Sequence, residues 1–148
     1  MYFTKKKLPT KIIDQLKNYV HDIIGHLFAV YKNLPCGFPE YIYQDALNVT
    51  LSENGVPYKK EYRHYPEFNG KKLESYLKMD FMIERERGNI IIECKAIESL
   101  GDIERRQLFS YMVGTQFPIG ILVNFGSYPM AQVEKYYFDK QDGTITPF

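Results

Sequence analysis

The stretch from residue 79 to residue 95, MDFMIERERGNIIIECK, constrains the fold more than any other part of the chain. Two apolar runs flank a charged segment at residues 85–89 that contains Gly and Asn, a pattern typical of a β-hairpin. If the hairpin is symmetric about the midpoint between residues 86 and 87, Asp80 lies opposite Glu93. Directly opposed residues in an antiparallel pair have Cβ atoms about 4.5–5.5 Å apart. The pattern therefore predicts two adjacent carboxylates.

A lysine is expected to join this pair of acids. Side chains alternate along a strand, so Glu93 and Lys95 share one face and Cys94 lies on the other. Two ionised carboxylates at this distance repel each other, and burial further disfavours their charged forms. A bound divalent cation would relieve both effects. The alternative is that Asp80 and Glu93 are solvated acids at a sheet edge, with Lys95 as a salt-bridge partner.

Size and composition predict one globular domain spanning residues 1–148, with 45% hydrophobic and 16% aromatic residues. The net charge of +1 excludes a chain-wide attraction to nucleic acid, so any basic binding site has to be a local patch. Two cysteines, Cys36 and Cys94, make no disulfide framework, and Cys94 is expected to be a buried thiol in a reducing compartment. Because no apolar run reaches membrane-spanning length and the N-terminus lacks a signal segment, we expect a cytoplasmic protein without a membrane partner.

Three helices are predicted, at residues 9–33, 40–53 and from Asp102 to about Thr115, from apolar spacing and from their start and stop residues. Glu40 lies in the first turn of the second helix. It has two interpretations: an acid favoured there by the helix dipole, or a metal ligand carried on a helix that packs against the sheet.

Four or five strands complete the pattern, at residues 57–66, 73–83, 89–96, 119–125 and, as a candidate edge strand, 132–138. Asn69-Gly70 is expected to be a hairpin turn, and residues 141–148 are expected to be loose. The order predicts an α/β fold whose central mixed sheet of four to five strands is flanked by helices. The third strand, the crossover helix and the fourth strand can form a right-handed βαβ unit.

The crossover helix carries Gln107 and Tyr111, which are four residues apart and therefore share one face. They lie near the predicted end of the strand that holds Glu93 and Lys95. An amide and a phenol there could orient a phosphodiester or a nucleobase. The alternative is that Tyr111 packs in the core while Gln107 is solvated.

Several short motifs occur in a characteristic order along residues 20–126. They are Gly37-x-x-Glu40-x-x-Tyr43, Asp80, Glu93-Cys94-Lys95, Gln107-x-x-x-Tyr111 and Leu122-Val123-Asn124-Phe125-Gly126. This order resembles the GxxExxY family of the PD-(D/E)xK nuclease superfamily, although Met79 stands where the superfamily name has Pro. Gln107-x-x-x-Tyr111 is similar to the QxxxY element of RecB-type nucleases.

The resemblance implies a restriction-endonuclease-like core over about residues 9–126, with residues 127–148 as a C-terminal extension. It implies that Asp80 and Glu93 bind Mg²⁺, or Mn²⁺ in its place, with Glu40 and the Cys94 backbone carbonyl as further candidate ligands. Lys95 would be the catalytic lysine.

Substrate contacts are expected from Gln107 and Tyr111 and from basic residues around them. Arg105 and Arg106 lie within a turn of Gln107, so at least one of them could meet a phosphate. Each basic group could equally be an ordinary solvated face. The other candidates are Lys59-Lys60, Arg63, Lys71-Lys72 and a basic arm at Lys5-Lys6-Lys7.

Three functions agree with these residues. The first is Mg²⁺-dependent hydrolysis of phosphodiester bonds in DNA. The second is a catalytically silent module that retains the fold and binds nucleic acid, a protein partner or a second copy of itself. The third is a metal-dependent hydrolase of a smaller phosphodiester.

Overall fold

The computed structural model describes residues 10–86 and 88–148, with side chains from residue 14 onward, so Lys5–Lys7 and Arg87 lie outside the described residues. In the described part of the chain, no helix is both long and apolar enough to cross a membrane. The helices are α1 (Thr10–Asn33), α2 (Glu40–Glu53) and α3 (Asp102–Thr115). The strands are β1 (Tyr58–His64), β2 (Glu67–Phe68), β3 (Lys71–Lys72), β4 (Leu77–Ile83), β5 (Ile90–Lys95), β6 (Ile119–Asn124), β7 (Gln132–Asp139) and β8 (Thr144–Pro147).

The main sheet has the strand order β1-β4-β5-β6-β7-β8. Among the described strands, only β5 and β6 pair in parallel, and α3 connects them. One buried cluster packs α1 and α2 against one face of the sheet. A second cluster packs α3 against the other face. The predicted fold class, a mixed sheet flanked by helices, is confirmed, although the sheet has six strands rather than four or five.

The register of the central hairpin is also confirmed. Phe81 pairs with Ile92, Met82 with Ile91 and Ile83 with Ile90, which is the alignment expected from the sequence. This ladder ends one step before Asp80 and Glu93.

The segment between β1 and β4 differs from the prediction. The second long strand begins at Leu77 rather than at residue 73, and residues 65–76 contain a separate two-stranded hairpin, β2–β3. The predicted turn at Asn69-Gly70 is present in it, because both residues have positive φ, 53° and 74°. Turns of this type favour Asn-Gly in two-residue hairpin loops.

Two predictions about the C-terminus were wrong. Residues 141–148, expected to be loose, contain β8, and β7 is an internal strand rather than an edge. Ile145 of β8 is fully buried in the cluster beneath α3. A four-residue strand with one large apolar side chain is too short for its alternation to stand out from a turn-rich tail.

Helix α3 lies close to the sheet because position 120 carries no side chain. A Cβ atom at Gly120 would lie 2.5 Å from Met112 Sδ and 2.9 Å from Leu108 Cδ1. Gly120 pairs with Ile91 near the start of β5, so the middle of α3 is held against the sheet there. Gln107 precedes Leu108, and its side chain contacts that of Lys95 at the end of β5.

Candidate active site

Asp80 and Glu93 meet where β4 and β5 stop pairing. The Asp80 backbone N–H donates to Glu93 Oε1 at 2.9 Å, and the Cys94 backbone N–H donates to Asp80 Oδ2 at 2.8 Å. Each carboxylate therefore satisfies a backbone donor of the other strand in place of a ladder hydrogen bond. Glu93 is only 3% exposed. The structure thus brings together the two acids that the hairpin register placed opposite each other.

A local distortion of β4 sets the direction of the Asp80 side chain. Met79 packs in the cluster under α3, whereas Phe81, two residues later, packs in the cluster under α1 and α2. The β1–β4 pairs on either side are regular, but Glu61 and Asp80 do not pair, and Glu61 has a φ of 52°. Strict alternation therefore fails at Asp80, and no sequence pattern indicated this.

Lys95 is held by the crossover helix. Its Nζ donates to Gln107 Oε1 at 2.8 Å, so Gln107 is engaged rather than simply solvated. Burial, followed by the charges of Glu93 and Asp80, raises the pKa of Tyr111, while a hydrogen-bonding interaction with Gln107 opposes this shift in the pKa. The structure therefore places Gln107 and Tyr111 at the same centre as Lys95 and the two acids.

Glu40 approaches the acids from the start of α2. The residue is exposed, yet partial desolvation of its carboxyl group, followed by the nearby Asp80 charge, raises the pKa of Glu40. Gln44 Nε2 donates to Glu40 Oε2 at 3.3 Å, and a hydrogen-bonding interaction with Gln44 is one of the influences that lower the pKa of Asp80. Gln44 therefore links the two acids. The sequence analysis missed it, although its position four residues after Glu40 is a usable signal.

The surroundings of Asp80 and Glu93 favour the protonated, uncharged form of their carboxyl groups. Burial, and then the Asp80 charge, raises the pKa of Glu93 to about 8. Burial also raises the pKa of Asp80, against the opposing effects of the Cys94 N–H and the Lys95 ammonium. In the metal-free protein the two carboxyl groups are thus expected to retain a proton near neutral pH, because two negative charges so close together and out of water repel each other.

The donor set fits a magnesium ion that keeps some of its water. Within residues 10–86 and 88–148, no three His, Cys, Asp or Glu side chains form a ready-made metal cluster. Mg²⁺ is often bound through one or two carboxylates, with water and substrate phosphate completing the octahedron. The N–H and C=O of a strand residue point the same way, so the Cys94 carbonyl, like its N–H, faces Asp80. The site therefore offers hard oxygen donors to a divalent cation.

Arg105 is directed away from this centre. Its Nε and Nη2 donate to Glu134 Oε1 and Oε2, both at 2.8 Å, and Nη1 donates to Asp102 at 3.3 Å. The paired guanidinium lowers the pKa of Glu134. Arg105 lies two residues before Gln107, and residues two apart in a helix point about 200° apart, so nearness in sequence does not bring these two side chains together. Arg106 is exposed on the same side of α3 and makes no contact with Lys95 or the acids in the described interactions.

Two of the other basic candidates also have acidic partners. Lys59 lies 3.6 Å from Glu84, and Lys60 lies 3.1 Å from Asp45. Such exposed pairs contribute little to stability, so these lysines remain available to solvent.

Tyr43 anchors the turn that precedes Glu40. Its buried ring stacks on Phe125 with the ring centroids 4.7 Å apart. Its hydroxyl donates to the Pro35 carbonyl at 2.8 Å and accepts from the Phe38 N–H at 3.3 Å. The tyrosine of the GxxExxY pattern therefore fixes where α2 begins.

Asn124 joins the ends of the two parallel strands and was given no role by the sequence analysis. Its Oδ1 accepts from the N–H groups of Ile97 and Gly126, each at 3.0 Å. Its Nδ2 is buried and has no hydrogen-bond partner among the described residues. A Cβ atom at Gly126 would collide with the backbone oxygen of Ile97. This compact joint holds the segment that leaves β5 just after Lys95.

Known proteins share this architecture. The crystal structure of SSO0001 is similar to this chain with a TM-score of 0.51 and 20% identity, over 68% of this chain and 52% of that one. The chain thus spans about half the length of that protein, and the likeness bears on the fold alone. Comparison with curated proteins gives no match. A family model described as the PD-(D/E)XK nuclease superfamily matches residues 17–136, and the chain therefore belongs to that superfamily.

Proposed function

We propose that this protein is a Mg²⁺-dependent nuclease of the GxxExxY type that hydrolyses phosphodiester bonds in DNA. The observation that carries the proposal is a pair of hydrogen bonds between the strands, from the Asp80 N–H to Glu93 Oε1 and from the Cys94 N–H to Asp80 Oδ2, which holds the two carboxylates together. Lys95 follows Glu93 by two residues on the same strand. Buried acids with raised pKa values beside a fixed lysine are unfavourable for stability alone, and such clusters are typical of functional sites.

The carboxylates of Asp80 and Glu93 would hold the ion, with the Cys94 carbonyl and Glu40 as further oxygen donors, and Mn²⁺ would serve as a substitute. When bound, the ion would neutralise phosphate charge and make a coordinated water more acidic. Gln44 would keep the Glu40 side chain turned toward Asp80.

Lys95 would act on the substrate. Its ammonium, fixed by Gln107 at 2.8 Å, would stabilise the negative charge that develops during attack on phosphorus. Preorganised charge of this kind costs no reorganisation at the moment of reaction. Gln107 and Tyr111, matching the QxxxY element, would position the phosphodiester or the adjoining base.

Cleavage assays test the proposal directly. Single-stranded and double-stranded DNA are incubated with Mg²⁺ or Mn²⁺ and the wild-type protein, Lys95→Ala or Asp80→Ala. We expect each substitution to lower the rate by at least about 10²-fold, the typical cost of removing one group that stabilises the transition state. Lys140→Ala and Glu53→Ala, which change exposed residues, are the matched controls. Cleavage that survives both site substitutions contradicts the proposal.

A silent binding module is the second candidate. It is favoured by the small net charge of +1 and by the lack of a ready-made three-residue metal cluster in the described part of the chain. Such a module would bind nucleic acid, a protein partner or a second copy. Calorimetric titration separates the two candidates: binding of Mg²⁺ or Mn²⁺ without cleavage of any polynucleotide favours the module.

A further inference from the structure

A small hairpin projects from the end of the sheet that carries the candidate active site. Lys95 and Asn124 end the parallel strands β5 and β6 at this edge, and β4, antiparallel to β5, begins there at Leu77. The segment 65–76, with β2 and β3, therefore extends beyond the same edge. Asp80 follows Leu77 by three residues, roughly 10 Å of strand.

The hairpin exposes apolar rings that do not serve the core. Phe68 is 66% exposed and Tyr76 is 43% exposed, and neither belongs to the two core clusters formed by the described residues. The ring of Tyr65 lies 5.5 Å from that of Tyr76. Exposed apolar side chains concentrated in one short segment are a feature of interaction sites in proteins.

Positive charge is interleaved with these rings. The Arg63 guanidinium lies 4.7 Å from the ring centre of Tyr76, and Lys72 Nζ lies 4.7 Å from that of Tyr65. Lys71, opposite Phe68 in the small ladder, is exposed. Residues 63–78 contain four Lys or Arg and two Asp or Glu, whereas the whole chain has a net charge of only +1. Residues 63–78 therefore form a local basic surface in a chain whose overall net charge is close to zero.

The support for these rings is ordered by local interactions. Phe68 pairs with Lys71 and Glu67 with Lys72 across the Asn69-Gly70 turn. The Leu73 N–H also donates to the Pro66 carbonyl at 2.8 Å. The backbone that carries these rings is thus ordered before any ligand arrives, which limits the entropy lost on binding.

We propose that this hairpin is a binding platform for single-stranded nucleic acid. Unpaired bases would stack on Phe68 and Tyr76, and Arg63, Lys71 and Lys72 would contact the phosphates. Stacking on aromatic rings requires bases whose faces are free, which a duplex does not offer. The claim that the hairpin delivers the strand toward Asp80 rests on the proposed function. The claim that the hairpin binds the strand does not.

Binding is measured by fluorescence anisotropy, in EDTA so that no cleavage occurs, with a labelled oligothymidylate and a labelled duplex of equal length. We expect the single strand to bind more tightly. Phe68→Ala should weaken its binding roughly 5- to 150-fold, the range for loss of one stacked base. Phe68→Trp should retain binding and Phe68→Leu should not, since leucine is apolar but has no π-face. Phe68 lies outside the core, so these variants are expected to fold.

The salt dependence tests the role of the lysines. For single strands, log K falls with log salt concentration by about 0.7 per phosphate contact. The double variant Lys71→Ala/Lys72→Ala should therefore reduce the slope by about 1.4. Lys140→Ala is the matched control, because Lys140 is exposed in the β7–β8 turn, at the opposite end of the sheet.

The outcomes separate this inference from the proposed function. If the single strand binds through Phe68 but no DNA is cleaved with Mg²⁺, the platform stands and the nuclease proposal fails. If DNA is cleaved while the Phe68 variants bind and cleave as wild type does, the platform is excluded and the nuclease proposal stands. Equal binding of duplex and single strand, or binding of neither, also overturns the platform; the latter result favours a protein as the ligand of the hairpin.

Discussion

At the residue scale, the account depends on how Asp80 and Glu93 share a small buried space. Each carboxylate accepts a backbone N–H from the opposite strand, so neither side chain can turn away without leaving that donor unpaired. Loss of such a buried hydrogen bond costs about 1–3 kcal/mol. Their proximity is therefore built into the fold and does not require a ligand.

The raised pKa of Glu93 predicts a pH dependence of stability in the metal-free protein. The pKa of this carboxyl group is about 4.3 in the unfolded chain and about 8 in the folded protein, so between these pH values the native state holds one more proton than the unfolded state. The free energy of unfolding should therefore fall as pH rises through this window and level off above it. Glu93→Gln keeps a hydrogen-bond acceptor but removes the titration, so its stability should decline less.

Urea unfolding in EDTA from pH 5 to pH 9 measures this difference. Glu53→Gln, at the exposed end of α2, is the control and should follow the wild type. Parallel curves for wild type and Glu93→Gln would show that Glu93 is ionised throughout.

At the element scale, the sequence predicted best where a local pattern is enough. The hairpin register followed from the charged turn and the apolar runs on both sides. The reversal of faces at Asp80 could not be predicted, because it arises from an unpaired position shared with Glu61 of another strand. The contribution of Gln44 likewise depends on how α2 lies against the sheet. The ion pair of Arg105 could not be predicted, because its partner, Glu134, lies on a strand far along the chain.

The close packing of Gly126 against Ile97, just after the ends of β6 and β5, gives a prediction at this scale. Gly126→Ala forces a Cβ atom against the backbone of Ile97, which cannot move aside as a flexible side chain can. We expect a loss of about 1–3 kcal/mol, the usual cost of overpacking, together with weaker metal binding as the segment after Lys95 shifts. Chemical denaturation and metal titration measure the two effects.

Gly25→Ala is the matched control for this substitution. Gly25 lies in α1, and a Cβ atom there meets nothing within 4 Å. Alanine should stabilise the helix by about 0.5–1 kcal/mol. If Gly126→Ala is as stable as Gly25→Ala, the joint does not have the close packing described.

At the scale of the whole molecule, the C-terminal strands extend the sheet beyond the part that the family resemblance covered. Ile145 fills the cluster under α3, on which the position of Gln107 depends. Ile145→Ala should therefore cost about 2–5 kcal/mol, as for other buried isoleucines. Ile103→Ala, at a position that is 80% exposed, should change stability by less than about 0.5 kcal/mol. Equal unfolding midpoints for the two variants would contradict the burial of Ile145 and would support the expectation that residues 141–148 are loose.

Local sequence patterns could predict only part of the site. Asp80, Glu93 and Lys95 could be grouped from one hairpin, because the turn fixes their register. Glu40 and Gln107 come from helices on opposite faces of the sheet, so spacing alone left their alternatives open and only the family resemblance joined them to the acids. Residues that converge through tertiary packing leave no periodic signal in the chain.

The central claim is that Asp80 and Glu93 together bind one divalent cation, and Mn²⁺ titration followed by electron paramagnetic resonance tests it most directly. We predict that Asp80→Asn and Glu93→Gln each weaken Mn²⁺ binding by more than the roughly 10- to 100-fold expected for loss of an outer-shell partner, while Glu53→Gln has no effect. Wild-type affinity retained in the Asp80→Asn/Glu93→Gln double variant would contradict the account.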